Sequence, residues 1–167
     1  MATVQTPYRT FGYITIKSTY DDGDHVVTPH PEGRVWTNYI TEGSFINAHT
    51  DAASTPPNES LPDTTTGQWW TPAELQEFYG TLIFDAQGTT TCWCLCAENN
   101  NNWMPYVDKW LVTSGETTTL PVGTKLFFCK GSITINGTTY TDPIQIHAKT
   151  SEISVTTNED SYGILFL

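Results

Sequence analysis

The sequence predicts an all-β chain, an antiparallel β-sandwich or jelly roll carrying one short helix. Three observations lead there. Hydrophobic residues recur with a period of two along Gly131–Tyr140 and Ile144–Ala148, the alternation expected of half-buried strands. Turn signals fall between those runs, above all Asn136-Gly137, a pair that tolerates the positive φ angles of a tight hairpin. Only one stretch, near residues 71–79, carries a convincing helix start. Many short strands with turns between them and a single short helix describe a sandwich.

In chain order, Thr10–Lys17 alternates Phe11, Tyr13 and Thr15 against Ile14 and Ile16 and forms a first strand, ended by the turn-rich Tyr20–Asp24. Val26 and Val27 start a short strand that Pro29 and Pro31 confine to a sheet edge. Two further strand-like pieces follow, Val35–Ile40 and Phe45–Ile46, on either side of Glu42-Gly43. From Thr50 to Gln68 the composition turns to Pro, Ser, Thr and acid, with Leu61 almost the only apolar residue, which predicts a long polar loop or arm. Thr71 as N-cap, Pro72 at the first helical position and Glu74 closing a capping box start the helix, and Gly80 stops it. Leu82–Phe84 and Thr90–Ala97 read as strands, Asn99–Asn102 as a loop tip, Trp103–Val112 as a strand or irregular aromatic segment, and Thr113–Thr119 as a turn. In the last third, Phe128, Ile133 and Ile135 precede the hairpin and Tyr140 lies on its return. Asp142-Pro143 breaks the run, Ile144, Ile146 and Ala148 resume it, and Ile153 and Val155 form another strand. After Asn158–Asp160, the last strand places Tyr162, Ile164 and Phe166 on one face and Leu165 and Leu167 on the other, so it should be covered on both sides.

At 167 residues, one domain spanning 1–167 is expected. A net charge of −11 with only 7 Lys and Arg argues against nucleic acid as partner, because phosphate neutralisation needs clustered cations. No apolar run reaches the roughly 20 residues a membrane helix requires, and the first residues lack the basic and apolar regions of a signal peptide. No membrane partner and synthesis in a cytoplasm are the expectations.

Residues that could carry chemistry are few. Cys92, Cys94 and Cys96 alternate, so on a strand they sit about 6.6 Å apart in sequence steps and about 13 Å end to end, too spread for one zinc ion. Buried free thiols are the leading reading, with a cross-strand disulfide to Cys129 or a metal site as alternatives. His25, His30, His49 and His147 form no ligand motif, and Asp21, Asp22 and Asp24 around Gly23 read as a solvated turn rather than a calcium loop. No nucleophile elbow, phosphate loop or assignable acid/base pair is present, so no catalytic residue, no cofactor and no metal are expected. The six tryptophans, Trp36, Trp69, Trp70, Trp93, Trp103 and Trp110, divide among core filling, interface anchoring and sugar stacking. Trp69, Trp70, Leu61, Pro56 and Pro57, around the polar arm, are the candidate interface residues.

The hairpin Gly131–Gly137, its return strand, the proline step and the closing strand before Thr156-Thr157-Asn158 resemble the second half of a cupin-type jelly roll. More narrowly, LPVGTKLFFCKGSITINGTTYTDPIQIH followed by SYGILF is similar to the C-terminal part of small virion structural proteins of tailed bacteriophages. Metal-binding cupins carry H-x-H with a following Glu and then P-x-G-x-x-H. This chain has neither, and only His147 lies near the second motif. The resemblance therefore implies a cupin-like fold without a cupin enzyme's metal. It implies a capsid decoration or cement protein at the virion surface, with the major capsid protein or other virion proteins as partners, working as a homo-oligomer. A tail or fibre-base component, a carbohydrate-binding module and a divergent cupin enzyme are the alternative functions.

Overall fold

A computed structural model describes residues 4–11, 13–27, 36–50, 60–70, 82–97 and 107–166. Strand pairing divides the chain into two compact units, Met1–Trp103 and Met104–Leu167, each with its own antiparallel sheet and core. Every described regular element is a strand, so the all-β expectation holds. The expected helix at 71–79 lies outside the described residues.

In the N-terminal unit, β1 (Val4–Thr10) and β2 (Tyr13–Tyr20) form a hairpin with Thr10 opposite Tyr13. The single strand expected over Thr10–Lys17 is thus corrected, because the chain reverses at Phe11, whose φ is 48°. The signal was hidden because a bulky residue rarely takes positive φ. Strand β3 (Gly23–Val27) follows, then β4 (Trp36–Thr50), β5 (Thr64–Thr65), β6 (Trp69–Trp70) and β7 (Leu82–Ala97). The two pieces expected around Glu42-Gly43 are one strand of 15 residues, and those at Leu82–Phe84 and Thr90–Ala97 are one strand of 16. Along one edge β7 pairs with β2 and β3, and along the other with β4. The outer edge of β4 receives β5 and β6.

The C-terminal unit comprises β8 (Val107–Val112), β9 (Thr117–Leu120), β10 (Lys125–Ile135), β11 (Thr138–Tyr140), β12 (Ile144–His147) and β13 (Ile153–Phe166). Asn136 and Gly137, at φ 48° and 78°, make the expected turn between paired Ile135 and Thr138. The stretch expected as a turn at Thr113–Thr119 includes the start of β9, and the two strands expected around Asn158–Asp160 are one continuous β13. Its far end is covered as expected, with Ile164 and Phe166 buried and Leu165 half-buried.

The two units follow one scheme. Two long antiparallel strands lie side by side, β4 with β7 and β10 with β13. The two short strands before the first long one pair with the second: β2 and β3 with β7, β8 and β9 with β13. The two short strands between the long ones pair back onto the first: β5 and β6 with β4, β11 and β12 with β10. Register order also repeats, since the earlier short strand always meets the C-terminal end of the second long strand. Only β1 has no counterpart among the described strands.

Even the irregularity is duplicated. Both first long strands shift register at a Gly-Ser step, Gly43-Ser44 and Gly131-Ser132, where the glycines take φ of 75° and 123°. A Cβ at Gly43 would meet Thr89 O at 2.6 Å, and one at Gly131 would meet Asp160 O at 2.8 Å, so only glycine fits either bulge. Opposite each sits a fully buried hydroxyl residue, Thr90 or Ser161. Thr90 Oγ1 is within hydrogen-bond distance of Ser44 O (3.1 Å) and Gly88 O (3.2 Å), and Ser161 Oγ of Ser132 O (3.4 Å) and Glu159 O (2.8 Å). In each case the hydroxyl satisfies carbonyls that the interrupted ladder leaves over.

The core of the N-terminal unit gathers Tyr20, Ile40, Phe45, Leu82, Phe84 and Cys92 on one face of its sheet. Tyr20, Phe45 and Phe84 meet edge to face with centroids 5.0–5.4 Å apart, the geometry aromatic quadrupoles favour. The C-terminal unit packs Trp110, Leu120, Leu126, Phe128, Ile133 and Val155.

Candidate functional site

The opposite face of the N-terminal sheet carries an ordered aromatic row. Register sets Lys17 of β2 opposite Trp93 of β7, Trp93 opposite Tyr39 of β4, and Tyr39 opposite Trp69 of β6. Side chains directly opposite one another share a face, so the row crosses four strands. The Tyr39 and Trp69 rings lie 5.1 Å apart, Tyr8 of β1 lies 5.5 Å from Trp93, and the Lys17 ammonium stands 5.9 Å from the Trp93 ring. Trp93 and Tyr39 are fully buried, whereas Trp69, at the outer strand, is half-buried. Its ring lies against that of Tyr39 and is partly exposed.

The other candidate interface residues separate from it. Leu61 packs against the Phe45 and Phe84 core and is bound into the fold, its N–H donating to Ala48 O at 2.8 Å. Trp70 pairs with Asn38 in the backbone ladder. Pro56 and Pro57 lie outside the described residues. Of the polar stretch, residues 60–68 run back along β4: Ser60 bridges His49, β5 pairs with Ser44 and Phe45, and Gly67 N–H donates to Ile40 O at 2.8 Å.

Cys92 and Cys94 occupy alternate positions of β7 and are in no disulfide, Cys92 buried and Cys94 half-buried. Burial pushes the Cys92 thiol up to about 12. Cys129 is likewise in no disulfide and sits on β10, whose strand neighbours are β11, β12 and β13, so the disulfide alternative has no cross-strand partner on β7. His25 lies against Tyr20 and Phe84 at 5.0 and 5.7 Å, His49 is exposed, and His30 lies outside the described residues. Among the described residues no three His, Cys, Asp or Glu side chains converge to hold a metal ion.

A polar cluster unforeseen from sequence lies where β3, β7 and β4 run side by side. Asp24 faces Asp85 in register, Asn47 Nδ2 donates to Asp85 Oδ2 at 3.1 Å, and Asn47 N–H donates to Asp63 Oδ1 at 3.1 Å. The hydrogen bond to Asp85 raises the Asp24 carboxyl above the usual range, and the hydrogen bonds from Asp24 and then Asn47 hold Asp85 below it. No sequence pattern joins positions 24, 47, 63 and 85, and only strand register brings them together.

The arrangement of strands is that of a cupin-like barrel protein. No family model and no curated protein sequence matches the chain, but solved structures do. The bacterial pirin YhhW of Escherichia coli, in complex with nickel(II), is 11% identical over 99% of this chain and 95% of its own, with a TM-score of 0.56. HutD of Pseudomonas fluorescens SBW25 is 11% identical over 98% of this chain and 92% of its own, with a TM-score of 0.56. A cupin 2 conserved barrel domain protein of Leptotrichia buccalis is 9% identical over 98% and 88%, with a TM-score of 0.50. At such identities the likeness is one of fold.

Proposed function

We propose that the chain is a non-catalytic structural component of a tailed-phage virion, a decoration or cement protein acting as a homo-oligomer through surface contacts with the major capsid protein. The observation that carries the contact reading is Trp69, a rigid ring braced by Tyr39 and left half open at the end of the aromatic row. Large rings held in place lose little entropy on docking and dominate interface energies. The C-terminal resemblance supplies the virion setting, and the net charge of −11 with few lysines suits a protein displayed in water. Symmetric repetition then turns individually weak contacts into avidity.

The test is co-sedimentation of the purified protein with empty capsids from the same source. Binding is expected, weakened about tenfold or more by Trp69→Ala and less by Trp69→Phe, at unchanged melting temperature. A protein absent from intact particles, or one with measurable turnover, refutes the proposal. Trp69 also favours one second reading, a carbohydrate-binding module in which its ring stacks on a sugar. Glycan-array binding that disappears in Trp69→Ala would select it, and a blank array would discard it.

A further inference from the structure

The C-terminal unit contains a cavity of about 420 Å³ that neither the contact reading nor the fold comparison uses. Trp110 of β8 forms part of its wall, with Leu120, Leu165 and Phe166 around it. Trp110 stands opposite Gly163 of β13, where a Cβ would lie 3.3 Å from the indole Cε3, so the missing side chain leaves room for the ring to lie against the strand. Pro121–Thr124 form another part of the wall. Thr124 N–H donates to Pro121 O at 3.0 Å to close a turn, and Gly123 N–H donates to Ala148 O at 2.7 Å to fasten it to the sheet. Val122, on that turn, is 59% exposed, the most exposed large hydrophobic side chain among the described residues. The cavity is therefore preformed, with a solvent-exposed apolar residue in its wall.

Its chemistry is selective by omission. In a chain with 18 carboxylate residues, no ionisable side chain lines the cavity among the described residues. The polar residues of the wall are Thr118, Thr119 and Thr124, whereas the Trp110 indole nitrogen is buried, so that residue offers the cavity only its ring. A charged group entering it would lose its water without gaining an ionic partner, a cost of several kcal/mol in general. A neutral apolar body would replace poorly bound water at the Trp110, Leu120 and Phe166 walls. The volume lies within the range of small-ligand pockets and accommodates about 15–20 non-hydrogen atoms.

We infer that this cavity is a binding site for an uncharged, largely apolar small molecule of two to three rings or an equivalent chain, oriented by the threonine hydroxyls. This site does not depend on the virion reading and persists if that reading fails.

A matched pair of fluorescent probes tests it on the full chain: N-phenylnaphthylamine, which is uncharged, and its sulfonated analogue anilinonaphthalene sulfonate, with the same rings and one added charge. The uncharged probe is expected to bind saturably, one per chain, with a shift of the Trp110 indole N–H resonance. The sulfonated probe is expected to bind at least tenfold more weakly. Val122→Glu, an exposed position where folding is preserved, should weaken the uncharged probe at least tenfold. Equal affinity for the two probes, non-saturating binding, an unmoved Trp110 resonance or full affinity in Val122→Glu would overturn the inference. So would probe binding that vanishes as the protein self-associates, since the cavity would then be an interface between copies.

Discussion

Replacing Gly131 and Gly137 by alanine, one at a time, separates two costs that the C-terminal unit keeps at different places. Both glycines have positive φ, 123° and 78°. At Gly137 an added Cβ meets nothing within 4 Å, so Gly137→Ala carries only the dihedral cost, about 1–2 kcal/mol. At Gly131 the same methyl would lie 2.8 Å from both Asp160 O and Ser161 Cα. These are backbone atoms of the neighbouring long strand and cannot swing aside, so overpacking adds about 1–3 kcal/mol to the dihedral cost. Gly131→Ala should therefore destabilise by about 2–5 kcal/mol, against about 1–2 for Gly137→Ala. With a urea m-value of about 2 kcal/mol per molar, the unfolding midpoints of the two variants should differ by about 0.5–1.5 M. Truncating the nearest side chain, Ser161→Gly, should not rescue Gly131→Ala, because the carbonyl remains. Coincident midpoints, or a larger loss at Gly137, would refute the assignment of Gly131 to a sterically closed bulge.

Three further outcomes follow from packing and titration. Phe84→Ala removes a fully buried ring from the Tyr20–Phe45–Phe84 cluster and should cost about 3–5 kcal/mol in urea unfolding, with Phe84→Leu costing visibly less. Asp24, raised by its hydrogen bond to Asp85, contributes stability below its unfolded pKa that is lost as pH rises through its folded value. Asp85, lowered, contributes stability above its unfolded pKa that is lost as pH falls through its folded value. Amide-exchange protection of β3 should thus peak in mild acid and decline toward neutrality, and Asp24→Asn, a permanent donor, should remove the decline. At alkaline pH the sign is single. Burial raises both the Tyr20 phenol and the Cys92 thiol, so stability is lost as pH climbs past their ordinary values of about 10 and about 8.5, and Cys92 should resist a thiol reagent at pH 8 until the chain unfolds.

Local pattern revealed what local physics determines. The Asn136-Gly137 turn, the alternation of Ile133 and Ile135, and the proline step at Asp142-Pro143 are decided within a few residues, and the structure places them as expected. Long strands were harder. Gly43 and the exposed run Asn158–Asp160 look like strand ends because they break the period of two, but both lie at register shifts inside continuous strands. Strand β1 was hidden by Pro7, which suits an edge that gives up a donor. Trp69 was legible as a candidate contact residue from its type and its setting beside the polar arm. Its support was not, since Lys17, Trp93, Tyr39 and Trp69 become neighbours only through register, as do Asp24 and Asp85. Leu61 shows the converse: an isolated apolar residue in a polar stretch packs, half-buried, against the core.

The repeated strand scheme sets a problem for the nascent chain. Strands β4 and β10 expose equivalent ladders and equivalent bulges, and β10 could in principle be offered to β7 before its own partner, β13, has been synthesised. Side chains decide against the exchange. Thr90 and Ser161 answer the two glycines in the same way, but beyond them β7 presents Trp93 to Tyr39, where β13 presents Ile164 to Phe127. An intruding strand would set a large aromatic against a site cut for an aliphatic, or leave a void in its place. Divergence between the halves thus acts as a code for correct pairing, letting one chain use the same architecture twice without confusing its copies.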